Sequence, residues 1–295
     1  MGLSNSNLNF FDLIYKRKYL RGNRGRCLGL STLDFYIDYG ALQLYGIDTI
    51  AEEDIIQHES LKRNSDEWCE SCKQLNTKLW KFYGYDFYEE LDINKRADIL
   101  WDLNYPIPDE YIEKYDLIID SAMGYVANFF QAYINSMKML KIGGEMILNL
   151  HLTNVLNRFP LNPAINFMIN FLNNNGFKVY EAIIFKHTSG GGSQNSGYIN
   201  EYPTNLFNNK ITYLRDLLPW EELFRFRLKQ LFCDASKHAD KPLAEMLTKL
   251  NEKCFKWTSL DTYVVHLVSK KERRISEEII YPHKDFYKES YIFKT

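Results

Sequence analysis

Three apolar runs in this chain each end on an aspartate, and helix-like sequence or turns separate them. YDFYEELD closes on Asp92, ADILWD on Asp102 and YDLIID on Asp120. After Asp120, ANFFQAYINSMKML sets Phe129, Tyr133, Met137 and Leu140 along one face of a helix. GEMILNLHL then reads as a strand. NPAINFMINFLNNNGF reads as a helix entered at Asn162-Pro163 and stopped at Gly176, and KVYEAIIFK as another strand. Apolar runs alternating with helices predict a layered α/β fold with a largely parallel sheet. Unbroken stretches such as LII and MIL belong to strands covered on both faces.

The remaining chain frames this unit. RCLGLSTLDFYI predicts an opening strand that passes Gly29 and then Ser31 and Thr32. Helical spacing runs from Asp54 to a stop at Gly84. HTSGGGSQNSG, from His187 to Gly197, predicts a flexible loop, since it lacks the lysine of a phosphate-binding loop. Amphipathic sequence over Ile211–Lys253 predicts a helical insertion before a last strand, TYVVHLVSK. The organisation expected is an N-terminal arm (1–24), with a locally basic, solvated piece over Tyr15–Arg26, a core (25–190), a loop with a helical cap (191–260), and a final strand with a tail (261–295).

Net charge is −2, which argues against a nucleic-acid partner. No apolar run approaches the length of a membrane span. Five cysteines without a secretion signal favour reduced thiols and a cytoplasmic protein. Cys69 and Cys72 form a lone CxxC with no second ligand pair at zinc spacing, so no metal site is expected.

In an open parallel sheet, ligands bind beyond the carboxyl ends of the strands. Carboxylates there can accept ribose hydroxyls or an adenine amino proton, and a glycine admits close backbone approach. The segments YDLIIDSAMG…MLKIGGEMIL and ELDINKRADILWDLNYPIPDEYIEKYDLIID resemble class I S-adenosylmethionine-dependent methyltransferases, in a bacterial branch associated with surface-saccharide and secondary-metabolite genes. The resemblance covers Gly25 to Lys186 and implies a Rossmann-like, mostly parallel seven-stranded sheet with helices on both faces. It implies S-adenosyl-L-methionine as cofactor. Gly29, with Ser31 beside it, falls where the first strand passes the methionine part, and Asp92 where the second strand takes the ribose. Asp102 and Leu103 fall on the adenine side, and Asp120 near the sulfonium and the acceptor. The glycine-rich motif is reduced to GLSTL, and Asp48 is a second candidate for the ribose because its spacing from Gly29 is shorter.

Methyl transfer to a hydroxyl calls for a base, for which His151, after the fifth strand, and Asp120 are the candidates. His187 is a weaker one, at the mouth of the Gly-rich loop. Tyr125, Phe129 and Phe130 are candidate walls for a saccharide or small-metabolite acceptor. The expected activity is O-methylation by a protein that need not be monomeric, a homodimer being compatible. The alternative is a methyltransferase-fold protein without catalysis, acting as partner or scaffold. A nicotinamide-dependent oxidoreductase is disfavoured because no G-x-G-x-x-G follows a strand.

Overall fold

The computed structural model describes residues 2–20, 25–120, 126–151, 165–187, 197–201, 262–276 and 279–280. In chain order the elements are β1 (Gly2–Ser4), α1 (Asn5–Lys16), β2 (Gly25–Leu30), β3 (Asp34–Tyr36), α2 (Tyr39–Leu44), α3 (Glu52–Ser60) and α4 (Asp66–Phe82). β4 (Tyr85–Asp92), β5 (Ile99–Leu100), β6 (Tyr115–Asp120), α5 (Phe129–Met139) and β7 (Leu140–His151) follow. α6 (Ile165–Asn174), β8 (Phe177–His187), β9 (Gly197–Glu201) and β10 (Thr262–Lys271) complete the order.

The helix boundaries have local causes. Ser65 Oγ accepts from the Trp68 N–H and starts α4. Gly84, at φ +91°, ends it with a left-handed residue that a side chain would disfavour. Asn128 caps α5 by accepting from the Gln131 N–H. The ADILWD run yields only two strand residues, Ile99 and Leu100; the Trp101 N–H still bonds the Asp92 carbonyl, and the chain turns at Leu103 and Asn104.

The main sheet runs β5-β4-β2-β6-β7-β10-β8-β9. The five strands from β5 to β7 are mutually parallel. β10 is antiparallel to both β7 and β8, so β8 points with the parallel set. The expected α/β sheet is therefore present and mostly parallel, with β10 reversed inside it. β9 adds an eighth strand, antiparallel to β8, at a place where the sequence suggests the end of a loop. The expected insertion over Ile211–Lys253 lies outside the described residues.

Strand alternation divides the core in two. Leu28, Leu30, Leu91, Ile118, Met146 and Leu148 face α5 and α6. Cys27, Tyr88, Leu117, Ile119 and Ile147 face the layer of α1 to α4. Residues 2–20 are thus no solvated arm. Leu8, Phe10, Phe11 and Ile14 of α1 are buried, and Phe11 meets Trp80 of α4 at 4.9 Å between ring centroids. β1 pairs in parallel with β3 and ties the N-terminus to the segment that follows β2.

Candidate functional site

The chain runs from β2 outward to β4 and β5, then returns to β6 on the other side of β2. That reversal makes the carboxyl ends of β2 and β6 the switch point of the sheet, where open α/β sheets bind ligands. Register aligns Ile99, Leu91, Leu30 and Asp120 across four adjacent parallel strands. Ser31 and Asp92 lie one residue further out, and Asp102 follows two residues after β5. Every acid singled out at a strand end therefore reaches one edge of the sheet.

They do not share a face. Asp120 is in register with Leu30 and is 2% exposed. Its charge bears on Tyr133 of α5, whose phenol burial pushes well above the usual value, with Asp120 adding to the rise. The Asn149 side-chain amide donates to the Asp120 carbonyl. Asp92, on the opposite face, is half-buried and directed toward the loop after β2.

That loop is fastened to the end of β4. Asp92 Oδ2 accepts from Ser31 Oγ at 3.0 Å and from the Thr32 N–H at 3.0 Å. The Ser31 N–H donates to the Leu91 carbonyl at 2.8 Å. These bonds hold Ser31 at φ +84°, a left-handed conformation that costs a non-glycine residue about 1–3 kcal/mol. Ser31 occupies the second glycine position of the reduced motif. Leu33, at the third, turns into the core at 2% exposure, so its side chain does not stand over the edge. Asp92 Oδ1 accepts from the Asn94 N–H at 3.2 Å, and as a carboxylate oxygen it has a second lone pair for another donor.

Glu90 lies beneath Asp92 on the same face. Its Oε1 accepts from the Leu33 N–H at 3.1 Å and from the Tyr88 hydroxyl at 2.8 Å. Burial raises its pKa to about 7, with Asp98 adding to the rise. The Tyr88 hydroxyl also explains Gly29: a Cβ at Gly29 would stand 2.7 Å from it. The bare face of Gly29 thus receives Tyr88 of the protein itself, which differs from the expected approach to a ligand.

Outside Asp92 the edge opens into a groove of about 570 Å³, lined by Ile93, Leu100, Trp101, Asp102, Tyr105 and Pro106. Ile93, Leu100 and Tyr105 are 72%, 59% and 62% exposed, an apolar surface with one carboxylate, Asp102, in the lining. Asp102 Oδ1 accepts from the Asn104 backbone at 2.9 Å and side chain at 2.7 Å. Leu103 points away from the groove into the α5 side of the core.

The other expected residues separate from this edge. Asp48 is exposed in the loop between α2 and α3, at no strand end, and does not join Asp92. Phe129 and Phe130 are 4.0 Å apart between centroids; Phe129 belongs to the core and Phe130 packs against it, meeting Phe171. Phe129 is thus buried in helix packing, and Phe130 is half-buried beside it. His151 ends β7 opposite Val264 of β10. The side chains of His151 and His187, and all of Tyr125, lie outside the described residues. Cys72 is buried, its thiol pushed up to about 12 by burial, and the Cys69 sulfur accepts from Arg96. Among the described residues no His, Cys, Asp and Glu cluster is arranged to hold a metal, and no helix is long and apolar enough to cross a membrane.

Glu90, Trp101, Ile93 and Asn135 were not anticipated. Glu90 had a legible signal: it shares the period-2 face of Asp92 and of buried Tyr88 in β4. Asn135 had one as well, being a polar residue on the buried stripe of α5.

No protein-family model and no curated protein matches the chain. Among solved structures it is similar to a candidate methyltransferase from Bacillus halodurans, with 11% identity and TM-score 0.39 over 88% of this chain and 99% of that one. It is similar to the branched-chain polyamine synthase of Thermus thermophilus in complex with N4-aminopropylspermidine and 5'-methylthioadenosine, with 11% identity and TM-score 0.39 over 92% and 58%. A third is phosphoethanolamine N-methyltransferase 2 of Haemonchus contortus with S-adenosylhomocysteine, at 10% identity and TM-score 0.38 over 90% and 53%. Likenesses this distant leave the chain's own geometry as the ground for a functional reading.

Proposed function

We propose that the carboxyl edge of β2, β4 and β5 binds the adenosine part of S-adenosyl-L-methionine, and that the protein methylates a hydroxyl of a saccharide or small metabolite. The observation that carries this reading is Ser31. Its left-handed backbone keeps the turn a glycine would make, at the switch point of the sheet, under bonds from the acid expected to meet the ribose. Backbone strain maintained by surrounding bonds at such a position is a mark of a functional site.

The residues suit the ligand. Asp92 Oδ1 would accept a ribose hydroxyl. Ile93, Leu100 and Trp101 offer apolar and aromatic faces to a purine, and Asp102 Oδ2 offers an acceptor for its amino group. Ser31 and Thr32 shape the backbone next to the methionine part. Bound S-adenosylmethionine supplies a methyl group on a sulfonium, whose in-line displacement needs positioning and exclusion of water. Asp120 lies buried behind the edge, where it adds to the rise in the Tyr133 pKa. His151, three residues beyond Leu148 on β7, remains the proposed base toward the acceptor.

Isothermal titration with S-adenosylhomocysteine tests this. Saturable binding is expected, and Asp92→Asn should weaken it by about tenfold or more, as loss of a charge-assisted bond does. No binding at millimolar ligand overturns the reading. The second reading, a protein of this fold acting as a partner without catalysis, draws on the engagement of Asp92 Oδ2 by the protein's own loop.

A further inference from the structure

The outer wall of the groove is a loop, residues 102–107, with no strand or helix to hold it in place. Leu103 and Ile107 are buried in the core cluster, and one buried polar side chain bonds the loop backbone around them. Asn135 of α5 is fully buried, and its Nδ2 donates to the carbonyls of Leu103 at 3.1 Å and Tyr105 at 2.8 Å. Its Oδ1 accepts from the Ile107 N–H at 3.0 Å and from Gln131 Nε2 at 2.9 Å. Two donors and two acceptor sites are all an asparagine amide has, so every one is used. Three of the four bonds go to loop backbone about thirty positions away, at every second residue from 103 to 107. Gln131, one turn earlier on α5, orients the amide. A second tie runs from Asn104, which donates to Asp102 and accepts from the Asn128 N–H at the start of α5 at 2.8 Å.

We propose that Asn135 is the positioning residue of this groove: it sets the loop that presents Asp102, Tyr105 and Pro106, and so ties purine affinity to α5. No apolar residue of the same size can replace it, because the buried Leu103 carbonyl and Ile107 N–H would then lose their partners, and the Tyr105 carbonyl would keep only Trp101 Nε1 at 3.4 Å. The same tie makes α5 and the groove wall move as one body. For the ligand, the proposal rests on the adenosine reading above; for the loop, it stands alone.

The test uses the full chain and compares Asn135→Leu with the milder Asn104→Ala, and with Asn175→Leu as a control. Asn175 is another buried asparagine, bonded to Phe171 and Ile280 away from the groove. Amide exchange over residues 103–107 is expected to accelerate by about tenfold or more in Asn135→Leu, with sheet amides unchanged. Titration with adenosine and S-adenosylhomocysteine is expected to show affinity lost by about tenfold in Asn135→Leu and by a few-fold in Asn104→Ala. The control should lose stability and keep affinity. If Asn135→Leu does not fold, Asn104→Ala carries both readouts. Wild-type affinity retained in a folded Asn135→Leu, or unchanged exchange in the loop, overturns the proposal. If the wild type binds neither nucleoside, the adenosine reading fails, and loop exchange alone decides the role of Asn135.

Discussion

Ser31 and Glu90 show how much rests on single side chains at this edge. Ser31 is held left-handed by its own hydroxyl and amide. Ser31→Gly and Ser31→Ala both lose the bond to Asp92, but only glycine relieves the backbone. Urea unfolding should find the glycine variant more stable than the alanine variant by about 1 kcal/mol. Glu90 titrates near neutrality because it is buried. Its folded pKa of about 7 lies above the ordinary 4.5, so the native state keeps the proton longer than the unfolded chain. Stability from this group is therefore unaffected below pH 4.5, falls as pH rises from there to 7, and levels above it. The full loss is about 3 kcal/mol from the linkage relation. Glu90→Gln keeps the acceptor for Leu33 and Tyr88, so its stability should vary less than the wild type's between pH 5 and 8. An equal slope in both proteins would show that other groups set it.

At the scale of elements, β2 and β4 interlock through a missing side chain and a hydroxyl. Gly29→Ala brings a methyl to 2.7 Å from the Tyr88 oxygen, while the ring carbon behind it stays at 3.4 Å. Gly29→Ala alone should destabilise by about 1–3 kcal/mol, as overpacking does. Tyr88→Phe alone should cost about 1 kcal/mol for the bond to Glu90. The double variant should be more stable than the two losses predict, and a strictly additive cycle would refute the contact. The arrangement of acids along this edge was legible in part. Asp92 and Asp102 stand at strand ends as the alternation of runs implies, but the use of Asp92 Oδ2 to fasten Ser31 and Thr32 was not. Hydrogen bonds between residues sixty positions apart leave no periodic trace in sequence. Phe129 misled for a related reason: an aromatic on a helix face reads the same whether it meets a ligand or Phe130.

For the molecule as a whole, α1 is the element whose placement changed most. It covers the sheet face beside α4, and its aromatic contacts with Trp80 and Tyr83 are long-range. Phe11→Ala should cost about 3–5 kcal/mol by thermal or chemical unfolding, the range for buried aromatic truncations. A solvated arm would lose almost nothing. The sequence alone determined the parallel α/β layering, the positions of most helices and strands, and the placing of acids at strand ends. Those follow from local periodicity and from capping residues such as Ser65 and Gly84. Tertiary structure decided which face each acid takes, since a shift of one residue at the strand end separates Asp92 from Asp120. It also decided that β10 enters in reverse between β7 and β8, and that α1 closes the core. These are outcomes of which surfaces meet, and the energy of meeting belongs to pairs of segments far apart in the chain.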